Sequence, residues 1–197
     1  MTILAIAGSP AERSRSTALL NFAVQRLDLA GFPIQRLGLR DLPAEDLVTG
    51  NYMGAAARQL REVVDSADAV LVASPIYKAS FSGGLKTVLD LLDERALAGK
   101  LVLPIATGGS TAHLLALEYG FKPVLSALGA RHILAGVYAT DKQVRLIDDG
   151  VDIDDNVRHR LETSVDLVAD HLSRTLHRPR LQTYDVGRIA LDGRLSL

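Results

Sequence analysis

Between Gly8 and Thr17 the chain gathers Ser9, Arg13, Ser14, Arg15, Ser16 and Thr17 directly behind the apolar run Ile3 to Ala7. Hydroxyls, guanidinium groups and the free N–H groups at a helix start are the donors that hold a phosphate, so this stretch is a candidate anion site. Any one of these residues alone reads as readily as a helix cap or a solvated cation; the cluster carries the assignment. The glycines match neither Gly-x-x-x-x-Gly-Lys-Ser/Thr nor the dinucleotide fingerprint, so neither a P-loop nor a standard Rossmann site is supported.

Two further stretches suit a flat heterocycle. In Ser74-Pro75-Ile76-Tyr77-Lys78 a proline fixes the chain as it leaves a strand, and an aromatic side chain follows. Thr107-Gly108-Gly109-Ser110 strips side chains from the backbone and offers N–H donors where a ring would approach. Lys78 and Lys86 are candidate phosphate ligands, with solvated lysines as the plainer reading. His113 follows the glycine pair and is a candidate contact for a bound ring, or else a structural hydrogen-bond donor. His132, His159, His171 and His177 show no metal spacing.

Hydrophobic periodicity predicts the elements that position these stretches. Ile3 to Ala7 reads as a strand buried on both faces, Gly8 lets the chain turn, and Ser14 or Ser16 caps a helix running through Leu19, Leu20, Ala23 and Leu27. Pro33 to Leu39 is a weak edge strand, and Arg40 to Gly54 an irregular excursion. Helices are expected over Ala55 to Ser66, Gly83 to Leu92, Leu114 to Leu128 with a kink at Pro123, and Asp154 to Leu176. Strands are expected over Ala69 to Ala73, Leu101 to Ala106 and His132 to Tyr138. Strands alternating with helices give a doubly wound α/β sandwich, and its ligands sit beyond the carboxyl ends of the strands. All three loops leave such ends.

At 197 residues and 48% hydrophobic content, the chain is long enough for one domain with a full core. A net charge of −1 gives no case for nucleic acid or an anionic membrane. The absence of cysteine excludes disulfides, a thiolate metal site and a cysteine nucleophile, and with them a low-molecular-weight tyrosine phosphatase. No leader or membrane span is legible, so a cytoplasmic location is expected. Residues 1–177 read as one domain, and Arg178 to Leu197 as a tail without helical period.

Gly8-Ser9-Pro10 with the Ser/Arg cluster, Ser74-Pro-Ile-Tyr-Lys78, Ser82-Gly-Gly-Leu-Lys-Thr-Val-Leu-Asp90, Leu103-Pro-Ile-Ala-Thr-Gly-Gly-Ser110 and Ala112-His-Leu-Leu-Ala-Leu-Glu-Tyr-Gly-Phe121 resemble the NADPH-dependent FMN reductases. The likeness spans residues 1–145 and is strongest to the branch that supplies reduced flavin to alkanesulfonate monooxygenase. It implies a flavodoxin-like, five-stranded parallel sheet of order 2-1-3-4-5 in a single domain, associating as a homodimer or homotetramer. Ser9, Arg15, Ser16 and Thr17 match the FMN phosphate loop. Pro75, Ile76, Tyr77 and Lys78 match the segment along the isoalloxazine and ribityl, and Thr107, Gly108 and Gly109 match the loop at the flavin's polar edge. Many relatives carry a basic residue where this chain has Ala11, so the charge must come from Arg13 or Arg15. Tyr119 matches an aromatic within a π-helical bulge at the relatives' subunit interface, where it bears on turnover or only on packing.

The resemblance further implies hydride transfer from NADPH or NADH to FMN, with no catalytic acid or base required of the protein, and a monooxygenase partner in sulfur metabolism. Two alternatives stand beside it: an NAD(P)H:quinone or azo reductase with tightly held FMN, and a flavodoxin-type electron carrier. A binding module without flavin is the remaining one.

Overall fold

The computed structural model describes residues 1–148 and 150–176. In chain order its elements begin with β1 (Ile3–Ala7), α1 (Arg15–Leu29), β2 (Ile34–Gly38), α2 (Ala44–Thr49), α3 (Ala55–Asp65), β3 (Ala69–Tyr77), β4 (Ser80–Phe81) and α4 (Gly83–Asp90). They continue with β5 (Leu101–Gly108), α5 (Lys122–Ala127), β6 (His132–Ile133), β7 (Val137–Thr140), β8 (Val144–Ile147), β9 (Gly150–Ile153) and α6 (Asp155–Leu176). The parallel sheet runs β2-β1-β3-β5-β6, with β7 also on β5 and β4 antiparallel on β3. Taking β6 and β7 as one interrupted edge strand, this is the 2-1-3-4-5 order of a flavodoxin-like fold.

The continuous apolar runs of the inner strands are explained by burial on both faces. Alternation sends Ile3 and Ala5 of β1, Leu71 and Ala73 of β3, and Leu103 and Ile105 of β5 to the side covered by α1 and α6. Leu4, Ile6, Val70, Val72 and Val102 go to the other, covered by α3, α4 and α5. On α6 the buried residues Val157, Leu161, Val165, Val168 and Leu172 recur every three or four positions, which draws one apolar stripe along the helix.

Four expectations are corrected. The edge strand expected over His132 to Tyr138 is broken between β6 and β7. Val102 pairs with Ile133 and Ile105 with Val137, so one extra residue lies on the edge side. The carbonyl of Val102 accepts from the Leu134 N–H at 2.9 Å, and by alternation the nitrogen of Pro104 faces the same edge with nothing to donate. Gly136 at φ +84° crosses the gap, where a Cβ would stand 2.9 Å from the Pro104 carbonyl oxygen. The single helix expected over Leu114 to Leu128 is instead a 3-10 turn (Thr111–His113), a π-helix (Leu117–Phe121) and α5. Pro123 sits in the first turn of α5 rather than kinking a long helix, because a proline has no N–H for the ladder behind it. The excursion from Arg40 to Gly54 contains α2, held by the buried Leu47. Finally, β8 and β9 form a hairpin where no strand was expected. The supposed tail, residues 178–197, lies outside the described residues, as do His177 and the boundary at 177.

Candidate functional site

β1, β3 and β5 all end at the same sheet edge. Register sets their loops side by side, with Ala7 opposite Ala73 and Pro75 opposite Thr107. There an open cleft of ≈ 230 Å³ is lined by Ser9, Ala11, Arg13, Ser14, Arg15, Pro75, Ile76, Tyr77, Thr107, Gly108, Gly109 and Asp141.

Arg13 and Arg15 make the cationic end. Arg15 donates from Nε to the Val144 carbonyl at 2.9 Å, and its Nη1 stands 3.7 Å from an Asp141 carboxylate oxygen. Arg13 donates from Nη2 to the Ile147 carbonyl. The β8–β9 hairpin thus holds both guanidinium groups beside the start of α1. Ser14 occupies the cap position of α1, but its hydroxyl makes no cap bond and lies 3.0 Å from that of Ser16. The first turn of α1 carries no acidic residue either, so its N–H groups and partial positive charge are left for an anion. Ser9 Oγ accepts from the Ala11 N–H at 3.2 Å and curls the loop.

The opposite end is bare backbone. A Cβ on Gly108 would stand 2.4 Å from the Tyr138 hydroxyl oxygen, whereas nothing approaches within 4 Å of one on Gly109. Tyr138 donates to the Ser110 carbonyl at 2.6 Å, and Asp141 N–H donates to the Gly108 carbonyl at 3.0 Å. Burial, together with the nearby Asp141 charge, pushes the Tyr138 phenol above its ordinary range and keeps it a donor. Gly109 and Ser110 follow the last ladder pair, Gly108 with Thr140, and Gly109 lines the cleft.

Buried hydroxyls tie the loop after β1 to the segment after β3. Ser82 donates to the Gly8 carbonyl and accepts from the Leu85 N–H at 3.1 Å, capping α4. Its own N–H donates to Ser74 Oγ at 2.9 Å, and Ser74 Oγ donates to the Pro75 carbonyl at 2.9 Å. Gly8 is required for close approach rather than for a special turn: a Cβ there would meet Leu85 Cβ at 2.8 Å and the Ala73 carbonyl oxygen at 2.9 Å.

Several anticipated residues stand outside this lining. Ser16 is fully buried behind Ser14, and Thr17 follows it in the first turn of α1. Lys78 occupies the tip of the β3–β4 hairpin at φ +50°, and Lys86 pairs with Asp90 at 2.6 Å. Tyr119 lies at the middle of the π-helix with 80% of its surface exposed. His113 sits on the 3-10 turn, its Nδ1 buried without a hydrogen-bond partner among the described residues. Asp141, Tyr138 and the hairpin carbonyls were not anticipated. The available signal was position, since Asp141 directly follows the strand Val137–Thr140 at the same sheet edge.

A phosphate-bearing flat ring fits this donor set, with guanidinium groups at one end and unobstructed glycine backbone at the other. Residues 1–145 match the family of NADPH-dependent FMN reductases. An FMN reductase (NADPH) of Escherichia coli K12 is 42% identical over 94% of this chain and 95% of its own length. Another FMN reductase (NADPH), from Pseudomonas putida KT2440, is 51% identical over 73% of each chain. A crystal structure of an NADH:FMN oxidoreductase (EMOB) in its apo form superposes with a TM-score of 0.75 at 35% identity, covering 85% of this chain and 87% of that one.

Proposed function

The chain belongs to the NADPH-dependent FMN reductase family and is an oxidoreductase of that kind, and we propose that it binds FMN in this cleft as a dissociating substrate. On this reading it releases the reduced flavin to a flavin-dependent monooxygenase, in the cytoplasm and in organosulfur assimilation. FMN when bound supplies the ring nitrogen that accepts hydride from nicotinamide C4. The residues of the chain bind and orient. Arg13, Arg15 and the start of α1 hold the phosphate, Pro75, Ile76 and Tyr77 flank the ring, and the backbone of Thr107 to Ser110 donates to its polar edge.

The observation that carries the substrate reading is the openness of the cleft. Tyr77 beside it is half exposed, and the chain has no tryptophan to clamp a ring. The exposed Leu114, Leu115 and Tyr119 around the π-helix support association of two or four copies through that face. Residues 1–177 form the reductase domain on this reading.

The test is nicotinamide oxidation in air by purified protein, with FMN added or withheld and with NADPH and NADH compared. Slow oxidation without FMN that rises saturably with it is expected. Protein that is yellow as purified and indifferent to added FMN overturns the substrate reading in favour of a fixed prosthetic group.

A further inference from the structure

We propose that Asp141 limits the affinity of the anion site: its carboxylate shares Arg15 with the incoming phosphate and so keeps the flavin nucleotide exchangeable. The inference rests on the assignment of the Arg13–Arg15 end of the cleft to phosphate.

A carboxylate is out of place beside a site for a dianion, and this one is built in. The Asp141 N–H is fixed to the Gly108 carbonyl at 3.0 Å. The preceding residue is fixed too, because Thr140 gives both its N–H and its hydroxyl to Gln143 Oε1 at 3.0 Å. The backbone at Asp141 is therefore held at the rim of the cleft that its side chain lines. Its distance to Arg15, 3.7 Å, is long for a charge-assisted hydrogen bond, and both side chains are nearly half exposed. Such a pair adds little to stability. Arg15 does not need it for orientation either, since its Nε is already held by the Val144 carbonyl. What the carboxylate does is repel. A phosphate drawn to Arg15 meets a negative charge already beside it, and the guanidinium's remaining donors are divided between two anions.

A positioning role predicts the opposite sign. If Asp141 served to aim Arg15, removing its charge would weaken FMN binding; if it limits affinity, removal tightens it. The measurement is the dissociation constant of the full-length protein for FMN and for riboflavin, which lacks the phosphate, by quenching of flavin fluorescence at low and high salt. Wild type is compared with Asp141→Asn and Asp141→Ala, both of which keep the backbone bond to Gly108. Roughly three- to tenfold tighter FMN binding is expected in both variants, with riboflavin unchanged and the gain shrinking at high salt. The KM for FMN should fall with the dissociation constant. Unchanged or weaker FMN binding in both variants overturns the proposal, and so does an equal gain for riboflavin. Wild type that prefers FMN to riboflavin while the variants gain nothing leaves the phosphate assignment standing and removes only the role of Asp141. Wild type that binds the two flavins equally removes both.

Discussion

Tyr138 shows how one buried side chain sets the shape of the glycine end of the cleft. Its ring lies under Gly108, only 4% exposed, and its hydroxyl anchors the Ser110 carbonyl. Because burial raises the phenol's folded pKa above the ordinary 10.0, its contribution to stability is fully present below pH 10 and is lost as pH climbs through the raised value. Tyr138→Phe should therefore flatten the alkaline loss of stability, at a cost of about 1 kcal/mol near neutrality from the lost bond. Urea unfolding of both proteins at pH 8 and at pH 10.5 to 11 checks this, and parallel losses in the two would refute it. The sequence made some residues of the site legible and hid others for a physical reason. Arg13, Arg15, Gly108 and Gly109 lie in or at the ends of loops whose composition is itself unusual. Tyr138, Asp141 and Ser82 are ordinary residues of an apolar strand, a turn and a helix cap, and only the folded chain brings Asp141 to the cleft and sets Tyr138 and Ser82 behind its loops.

Among the described elements, the β3–β4 hairpin is the one that carries positive φ at residues other than glycine. Tyr77 pairs with Ser80, leaving the two-residue turn Lys78-Ala79 with φ +50° and +64°. Positive φ at both positions suits Asn-Gly and is unfavourable for residues with a Cβ. Ala79→Gly should raise stability by about 0.5–1 kcal/mol, seen as a higher urea midpoint at unchanged slope; a lower midpoint would show that tertiary contacts favour the alanine. The hairpin also backs the π-helix, through Phe81 stacked on Phe121 at 4.9 Å and Gly120 against Ser80. The wide turn carrying Tyr119 is thus coupled by packing to the chain that flanks the cleft. Inner strands and amphipathic helices were legible because a continuous apolar run or a 3.6-residue stripe is a local signal. The β8–β9 hairpin was not: its four-residue strands are too short to show a period, and it exists because Val144 and Ile153 reach the core. The broken edge strand was equally hidden, since its cause, Pro104, lies on the neighbouring strand.

The molecule as a whole is two cores sharing one sheet, and this governs how the site responds to damage far from it. Leu103 on β5 is buried against α1 and α6, while Leu85 on α4 is buried on the opposite face beneath Gly8. Either residue changed to alanine should cost about 2–5 kcal/mol. Because the inner strands contribute alternate side chains to both cores, neither face can melt while the other stays folded, and each variant should unfold in one transition. The cleft is made from the ends of those same strands, so a ligand bound there stabilises both faces together. FMN at ten times its dissociation constant adds about 1.4 kcal/mol, raising the melting midpoint of a chain of this size by roughly 3–5 °C. The rise should be the same whether unfolding is followed by a helix signal or by tyrosine fluorescence, in wild type and in both variants. A midpoint that shifts by one probe and not by the other would mean that the two faces unfold independently, and that the loop after β1 is supported by the α1 side alone.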